Sequence, residues 1–482
     1  MHLLEPEAKN TVSRESPPDH SSRMQTVLPE PQVRFVRGSI IVASSITLIA
    51  IAYAIALGGI LNSVRGFYHI ETWRQGLLND RLVGYRTFFL ALAAASWIFT
   101  LVLRYSAVLN RTVRQRVWSD WTKRAFPIVL VGIGVAIGVR LSYTLWRSYD
   151  SPCWDGYCRY ASYIRAWLID RSASNHSTLM WWMRRDYHSN SPVGPAFMAV
   201  ASVLTGRSVE QSYGMMSGLA TLGTLAFCWS WLGRQDHLNS TRLPRIVPFL
   251  LLLSHPALVR TFIFLQTDAL VSLWITAVIG LGLIRFKRSQ FWQLPVAALV
   301  LSTGLLVKLS FLPALSFLPV LEAIRSFREP SRHVRTLLVA GLFFVVVPLL
   351  SFFLFQHVMG TEAMFAEELH WRGYIDREIP FIVEMSARSF LFLAPLALLG
   401  WKRFQSEDWL LALCFTIYLA SLWFGRVPGW DRHYLPVIPP LAVLAARGLT
   451  VVADRVGRAP AYAYVLLACV LQYSVFWLKI VQ

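Results

Sequence analysis

An all-α protein that crosses a membrane many times is the fold class this sequence predicts, on three observations. The first is composition: of 482 residues 55% are apolar and only 15% charged, with a mean hydropathy of +0.47, more than a soluble core needs. The second is pattern, because apolar runs on the order of twenty residues long recur along the chain, about the length of helix that spans a bilayer core. The third is that Arg, Lys or Pro fences these runs. A spanning segment must satisfy its backbone internally, so the runs read as helices. Secreted, fibrous and disordered classes are excluded.

Residues 1–37 hold Pro17, Pro18, Pro29 and Pro31 among Ser and both charge signs, and predict a disordered cytoplasmic tail. The run at 39–61 starts too late and is too long for a cleaved secretory signal, so it is expected to be a signal anchor. Further runs fall at 87–103, 126–142, 194–205, 214–232, 246–262, 268–284, 293–307, 309–320, 336–357, 389–400, 408–424, 435–452 and 461–478. Together they predict a bundle of about 12–14 crossings with no soluble domain between them. In the run at 126–142, Gly132, Gly134 and Gly138 permit close helix approach.

Charge sets the orientation. The 46 Lys and Arg against 27 Asp and Glu leave +19, and the excess sits in short loops. That distribution fits the positive-inside rule and anionic lipid headgroups. No basic stripe or zinc-finger spacing supports nucleic-acid binding. Segment 104–124 carries Arg104, Arg111, Arg114, Arg116, Lys123 and Arg124 against Asp120 alone, which makes it cytoplasmic. Arg285, Lys287 and Arg288, then Arg325, Arg328, Arg332 and Arg335, mark further cytoplasmic loops. The long loops 143–192 and 358–388 therefore share the outer face. One step breaks the alternation, because Arg234, Arg242 and Arg245 follow a pair of runs that returns the chain outside. A short or re-entrant helix at 194–205 restores the parity. The loop 62–86 is also basic while assigned outside.

Five cysteines are too few for a disulfide scaffold. Cys228, Cys414 and Cys469 lie in apolar runs and are expected to be packing residues. Cys153 and Cys158 flank Asp155 on the side expected to be oxidising, where a disulfide and two free thiols are both open readings. A zinc site joining them to His176 or His188 has no second ligand pair at a recognisable spacing.

The first outer loop contains Asp155 just beyond a hydrophobic helix, followed by an aromatic-rich stretch. A carboxylate at headgroup level can take a proton from an acceptor hydroxyl or amine, worth roughly 10² to 10⁴ in rate. A solvated Asp or a helix N-cap is the plainer reading. The loop ends in Trp181, Trp182, Arg184, Arg185, Asp186, Tyr187 and His188, either an interfacial belt or a set of phosphate partners. Lys308 interrupts an apolar stretch, and at a bilayer centre it would cost about 2.5 to 3.5 kcal/mol. It is therefore expected at a helix end or in a wet cavity, binding an anion or snorkelling. The second outer loop gathers Glu362, Glu367, Glu368, His370, Arg372, Asp376, Arg377 and Glu378, a solvated amphipathic helix or a lid over a polar site. Arg432, beside His433, offers a planar donor fork suited to phosphate, or simply flanks a helix with positive charge.

Several blocks occur in order: Asp155 with Tyr160-Ala161; Ser191-Pro192-Val-Gly194-Pro195-Ala-Phe ahead of Leu204-Thr-Gly206-Arg207-Ser208; Thr267-Asp268-Ala-Leu270; Gly304-Leu-Leu-Val-Lys308; and Arg432-His433-Tyr434-Leu-Pro436-Val-Ile-Pro439-Pro440-Leu-Ala. The ensemble, over roughly residues 126–478, resembles the membrane glycosyltransferases of the GT-C fold, in the branch of protein mannosyltransferases and the lipid A aminoarabinose transferase. The resemblance implies a catalytic transmembrane domain at 125–482, with 38–124 as a two-helix N-terminal extension. It implies a polyprenyl-phosphate-linked sugar donor, inverting transfer on the extracytoplasmic face, and a glycan, lipid or protein acceptor. It maps the family's first-loop acid onto Asp155 and its phosphate-binding cation onto Arg432. Asp186, His188, Lys308, Arg372 and His433 complete the expected substrate-binding set. There are departures. Gly156 stands where relatives often have a second acid, and His188-Ser-Asn-Ser-Pro192 replaces the usual His-Pro-Pro, which leaves a divalent metal as an open cofactor question. A transporter or flippase of lipid-linked saccharides would need intramembrane ionisable residues and an internal repeat. No repeat is evident and most charges lie at helix ends. An oligosaccharide polymerase or ligase shares the large outer loops.

Overall fold

A computed structural model describes residues 30–67, 86, 89–90, 92–105, 193–233, 243–258, 268–287, 290–328, 333–359, 389–390, 392–424 and 431–480. Every regular element among them is helical. Five helices are long and apolar enough to cross a membrane, and three shorter apolar ones accompany them. The fold is an all-α polytopic membrane bundle. The run at 126–142, its three glycines, the loop 143–192 and residues 360–388 of the second outer loop lie outside the described residues.

The N-terminal helices form an outer layer. Helix α1 (Glu30–Phe67) begins seven residues upstream of the boundary expected at 37, so the apolar anchor continues a helix already under way. Its Ile41, Leu48 and Ile55 are exposed, the pattern of a surface that faces lipid. Helix α2 (Leu92–Tyr105) attaches through the Trp97 indole, which donates to the Thr47 hydroxyl at 3.0 Å. Phe99 then packs edge-on against Tyr464, 5.8 Å between centroids, joining this layer to the rest.

Next come α3 (Val193–Thr205) and α4 (Val209–Gly233), joined at Gly206, whose φ of +63° suits a residue without Cβ. With 13 residues, α3 rises only about 20 Å, short of a bilayer core of about 30 Å. The run at 246–262 is not one helix: α5 (Ile246–Leu253) stops at Ser254 and His255, because Pro256 cannot donate its backbone nitrogen to a continuing ladder.

Helix α6 (Asp268–Lys287) is followed by α7 (Gln293–Val307), a 3₁₀ segment (Leu309–Ser316) containing Pro313, and α8 (Phe317–Arg328). The run at 336–357 becomes α9 (His333–Gly341), a π turn (Leu342–Val346) and α10 (Val347–Met359). Pro348 removes one donor just after the π turn, and the wider turn absorbs the lost hydrogen bond. Then come α11 (Ala394–Gly400), a 3₁₀ turn (Trp401–Arg403) and α12 (Ser406–Phe424). A second 3₁₀ segment (Asp431–Val437) leads into α13 (Ile438–Arg455), and α14 (Arg458–Ile480) closes the chain.

Helix α13 is the axis of the bundle. Every residue from Ile438 to Ala453 is buried, as suits a stretch that is apolar on nearly every face with Arg447 as its one charge. Ala442, Ala445, Ala446 and Gly448 keep it slim, so that neighbouring helices approach closely. The closest crossing is with α11: a Cβ on Gly448 would fall on the Leu396 carbonyl oxygen, and one on Gly400 would lie 2.6 Å from the Gly448 nitrogen. Cys228, Cys414 and Cys469 are buried free thiols, the packing role expected of them.

The helices give the bundle two unlike ends. Tyr418, in the second half of α12, bonds the turn after Lys308, which pairs with Asp268 at the start of α6. Asp408, near the start of α12, pairs with Arg447 in the second half of α13; α6 and α13 therefore start at one end and run the same way. Arg285, near the end of α6, and Arg455, at the end of α13, therefore share the opposite end. Arg325, Lys402, Arg403 and Arg458 join them through α8, the turn before α12 and the start of α14.

Candidate functional site

The end away from those arginines carries a buried ion pair. Helix α7 stops at Lys308, whose extended backbone (φ −163°, ψ 137°) ends the helical ladder after its N–H reaches the Gly304 carbonyl at 3.3 Å. Its ammonium lies 2.8 Å from Oδ1 of Asp268, the first residue of α6, and the side chains are 10% and 5% exposed. The start of α6 suits a carboxylate, because unpaired N–H groups leave that end of a helix positive. Lys308 is thus at a helix end, and its first partner is a carboxylate of the chain itself.

Local sequence explains how Lys308 reaches that position. After Lys308 the chain turns back through the 3₁₀ segment, and the Phe311 ring fills the space above Gly304, where any Cβ would sit 2.5–2.7 Å from ring atoms. The turn is pinned from α12, where the Tyr418 hydroxyl donates to the Ser310 carbonyl at 3.0 Å. Two hydroxyls near the pair have no hydrogen-bond partner among the described residues: Ser272 Oγ, one turn along α6 from Asp268, and Ser310 Oγ.

The same end holds two buried histidines. The Ala257 N–H donates to His255 Nδ1 at 3.2 Å, so the other nitrogen, Nε2, carries the proton and donates to the Ser389 carbonyl at 3.0 Å. The neutral ring thereby ties the break after α5 to the start of the 389–400 stretch. Next to Ser389, Phe390 meets Tyr434 edge-on at 5.5 Å. His433 is buried in the 3₁₀ segment that leads into α13, and the backbone places Arg432 in the same segment.

Of the residues expected from the sequence, Lys308, Arg432 and His433 therefore lie at one end of the bundle. Asp155, Asp186, His188 and Arg372 lie outside the described residues, as do Cys153 and Cys158. Among the described residues no three His, Cys, Asp or Glu side chains gather as a metal site would require. Asp268 stands in one of the ordered sequence blocks, but no spacing joins it to Lys308, and His255 falls in none of them. Each had a signal, an ionisable group in an apolar run.

At the arginine-rich end Arg447 lies inside α13, 2% exposed, and donates through Nε at 2.8 Å and Nη2 at 2.7 Å to Oδ2 of Asp408. Gln405 completes the group: its N–H donates to the same oxygen at 2.9 Å and its Oε1 accepts from Arg447 at 3.2 Å. Arg285 pairs with Glu322 and lies over the Phe344 ring of the π turn at 5.5 Å, and Arg403 pairs with Asp454. These pairs fasten helices together.

No family model matches the chain, and no curated protein matches it in sequence. Among solved structures it is similar to ArnT from Cupriavidus metallidurans in the apo state, with a TM-score of 0.48 and 17% identity over 68% of this chain. It is also similar to the same protein bound to undecaprenyl phosphate, with a TM-score of 0.47 and 16% identity over 67% of this chain. The likeness covers 60% of the length of each ArnT chain.

Proposed function

We propose that the protein transfers a sugar from a polyprenyl-phosphate-linked donor to an acceptor on the extracytoplasmic side of its membrane. The observation that supports the reading is that Lys308 and the segment holding Arg432 and His433 lie at the same end of the bundle, opposite the arginine-rich one. Positive charge favours the cytoplasm, so Arg285, Arg325, Arg403, Arg455 and Arg458 orient the Lys308 end outward. A lipid-linked donor keeps its tail in the bilayer and delivers phosphate and sugar to the interface at that end. Binding there turns transfer into a positioned reaction, and positioning lowers the barrier.

In this reading the acceptor hydroxyl attacks the sugar carbon while its bond to the phosphate oxygen breaks. Asp155 takes the acceptor proton. Arg432, Lys308 and Arg372 hold the charge that develops on the leaving phosphate. Asp186, His188 and His433 line the donor site, and the acceptor is a glycan, a lipid or a protein.

The test is a reconstituted assay with labelled polyprenyl-phosphate sugars that reads both the new glycoside and the freed polyprenyl phosphate. Wild-type protein is expected to give both, and Asp155→Asn neither, at unchanged expression and thermal stability. Near wild-type turnover by Asp155→Asn would remove that residue from the reaction. Movement of labelled lipid across vesicles without any glycoside would replace the transferase with a transporter.

A further inference from the structure

The Asp268–Lys308 pair poses a problem for the reading above. A lysine that is to hold a phosphate is already held by a carboxylate, at 2.8 Å and nearly out of water. The surroundings offer a way out. Among the described residues the ammonium uses one of its three donors, on Asp268 Oδ1. Ser272 lies four residues along α6, the spacing that stacks side chains on one helix face, and helical side chains tilt toward the N-terminus, here toward Asp268. Ser272 is 2% exposed and its hydroxyl has no partner among the described residues. A buried hydroxyl left unbonded is costly unless another state uses it. On the other side, Lys308 is the extended residue between α7 and the 3₁₀ turn, where a change of side-chain direction breaks no helical hydrogen bond of its own.

We infer that Asp268 competes with the lipid-linked phosphate for Lys308. The pair is the closed state. In the open state Lys308 turns to the phosphate and the Asp268 carboxylate accepts from the Ser272 hydroxyl. This inference rests on the polyprenyl-phosphate reading and adds the control of that site. Its use follows from charge. The donor is a phosphodiester with one negative charge. When the sugar carbon leaves, the electron pair stays on the phosphate oxygen and the acceptor proton goes to Asp155. The product is a monoester carrying about −1.5 to −2 near neutral pH. An unopposed lysine would hold that product more tightly than the donor. A carboxylate that reclaims the lysine lets the product go, because apparent affinity falls with the fraction of protein in the competent state.

Two substitutions move the balance in opposite directions. Asp268→Asn weakens the closed state, and Ser272→Ala weakens the open one. The purified full-length protein in detergent is titrated with a short-chain polyprenyl phosphate, with the matching polyprenol as uncharged control. Asp268→Asn is expected to bind the phosphate about tenfold more tightly than wild type. Ser272→Ala is expected to bind it about fivefold more weakly, the worth of one hydrogen bond. Polyprenol binding should be the same in all three proteins. A merely structural pair would move neither phosphate affinity, and that result overturns the inference. Should Asp268→Asn not fold, Ser272→Ala decides alone, and unchanged phosphate affinity there overturns it as well. A wild type that holds phosphate no better than polyprenol brings down the donor reading and this inference together. A wild type that prefers phosphate, with both variants unmoved, brings down only this one.

Discussion

The two ends of the bundle each bury an acid–base pair, and the pairs are built differently. At the arginine-rich end the planar Arg447 fork sets two nitrogens on one Asp408 oxygen, and Gln405 bonds to both partners. At the other end a flexible lysine, among the described residues, gives its one hydrogen bond to Asp268 beside a break in helical structure. A guanidinium in a fork is pre-organised and hard to re-aim, whereas an ammonium on a four-carbon stem re-aims readily. The lesson is that burial alone does not separate a fastening from a working group. The number of bonds, the stiffness of the donor and the regularity of the chain around it do.

The largest effect should come from breaking the fastening. Arg447→Met leaves Asp408 buried without its cation and is expected to cost about 3–5 kcal/mol of stability. Thermal unfolding in detergent measures it, and adding Asp408→Leu should recover most of the loss. If the single variant unfolds at the wild-type temperature, the two ends are not different in the way described. Next in size is Gly448→Ala, whose methyl group would meet the Leu396 carbonyl and push α11 off α13, at a cost of roughly 1–3 kcal/mol. The smallest effect should follow Tyr418→Phe, which frees the Ser310 carbonyl for about 0.5–1.5 kcal/mol. The same variant sharpens the comparison, since loosening the turn after Lys308 should alter polyprenyl-phosphate binding, while Gly448→Ala, even where it lowers the unfolding temperature, should leave the affinity of the folded fraction intact.

Much of the fold was legible in the sequence because hydrophobic length is a local property. The runs at 214–232, 268–284, 293–307 and 408–424 lie almost entirely within α4, α6, α7 and α12. Prolines accounted for the disagreements: Pro256 ends α5 early, Pro348 follows a π turn, and Pro313 sits in a 3₁₀ segment rather than a helix. Site residues were legible one at a time. Lys308 stood out as a charge in an apolar stretch, but its partner is 40 residues away and no spacing rule joins them. Arg447 was masked by its neighbours, since one charge barely lowers the average of the run at 435–452. Only the helix crossing that brings α12 alongside α13 shows why a charge can lie there, with Asp408 opposite it.

The central claim is that lipid phosphate is handled at the Lys308 end of the bundle and not at the arginine-rich end. Photo-crosslinking with a polyprenyl phosphate that carries a photoreactive group beside the phosphate, followed by peptide mapping, tests it directly. The account predicts labels within 308–316 and 431–437 that unlabelled polyprenyl phosphate competes away, with 401–408 and 447–458 unlabelled. Competable labelling confined to 401–408 and 447–458 would contradict it.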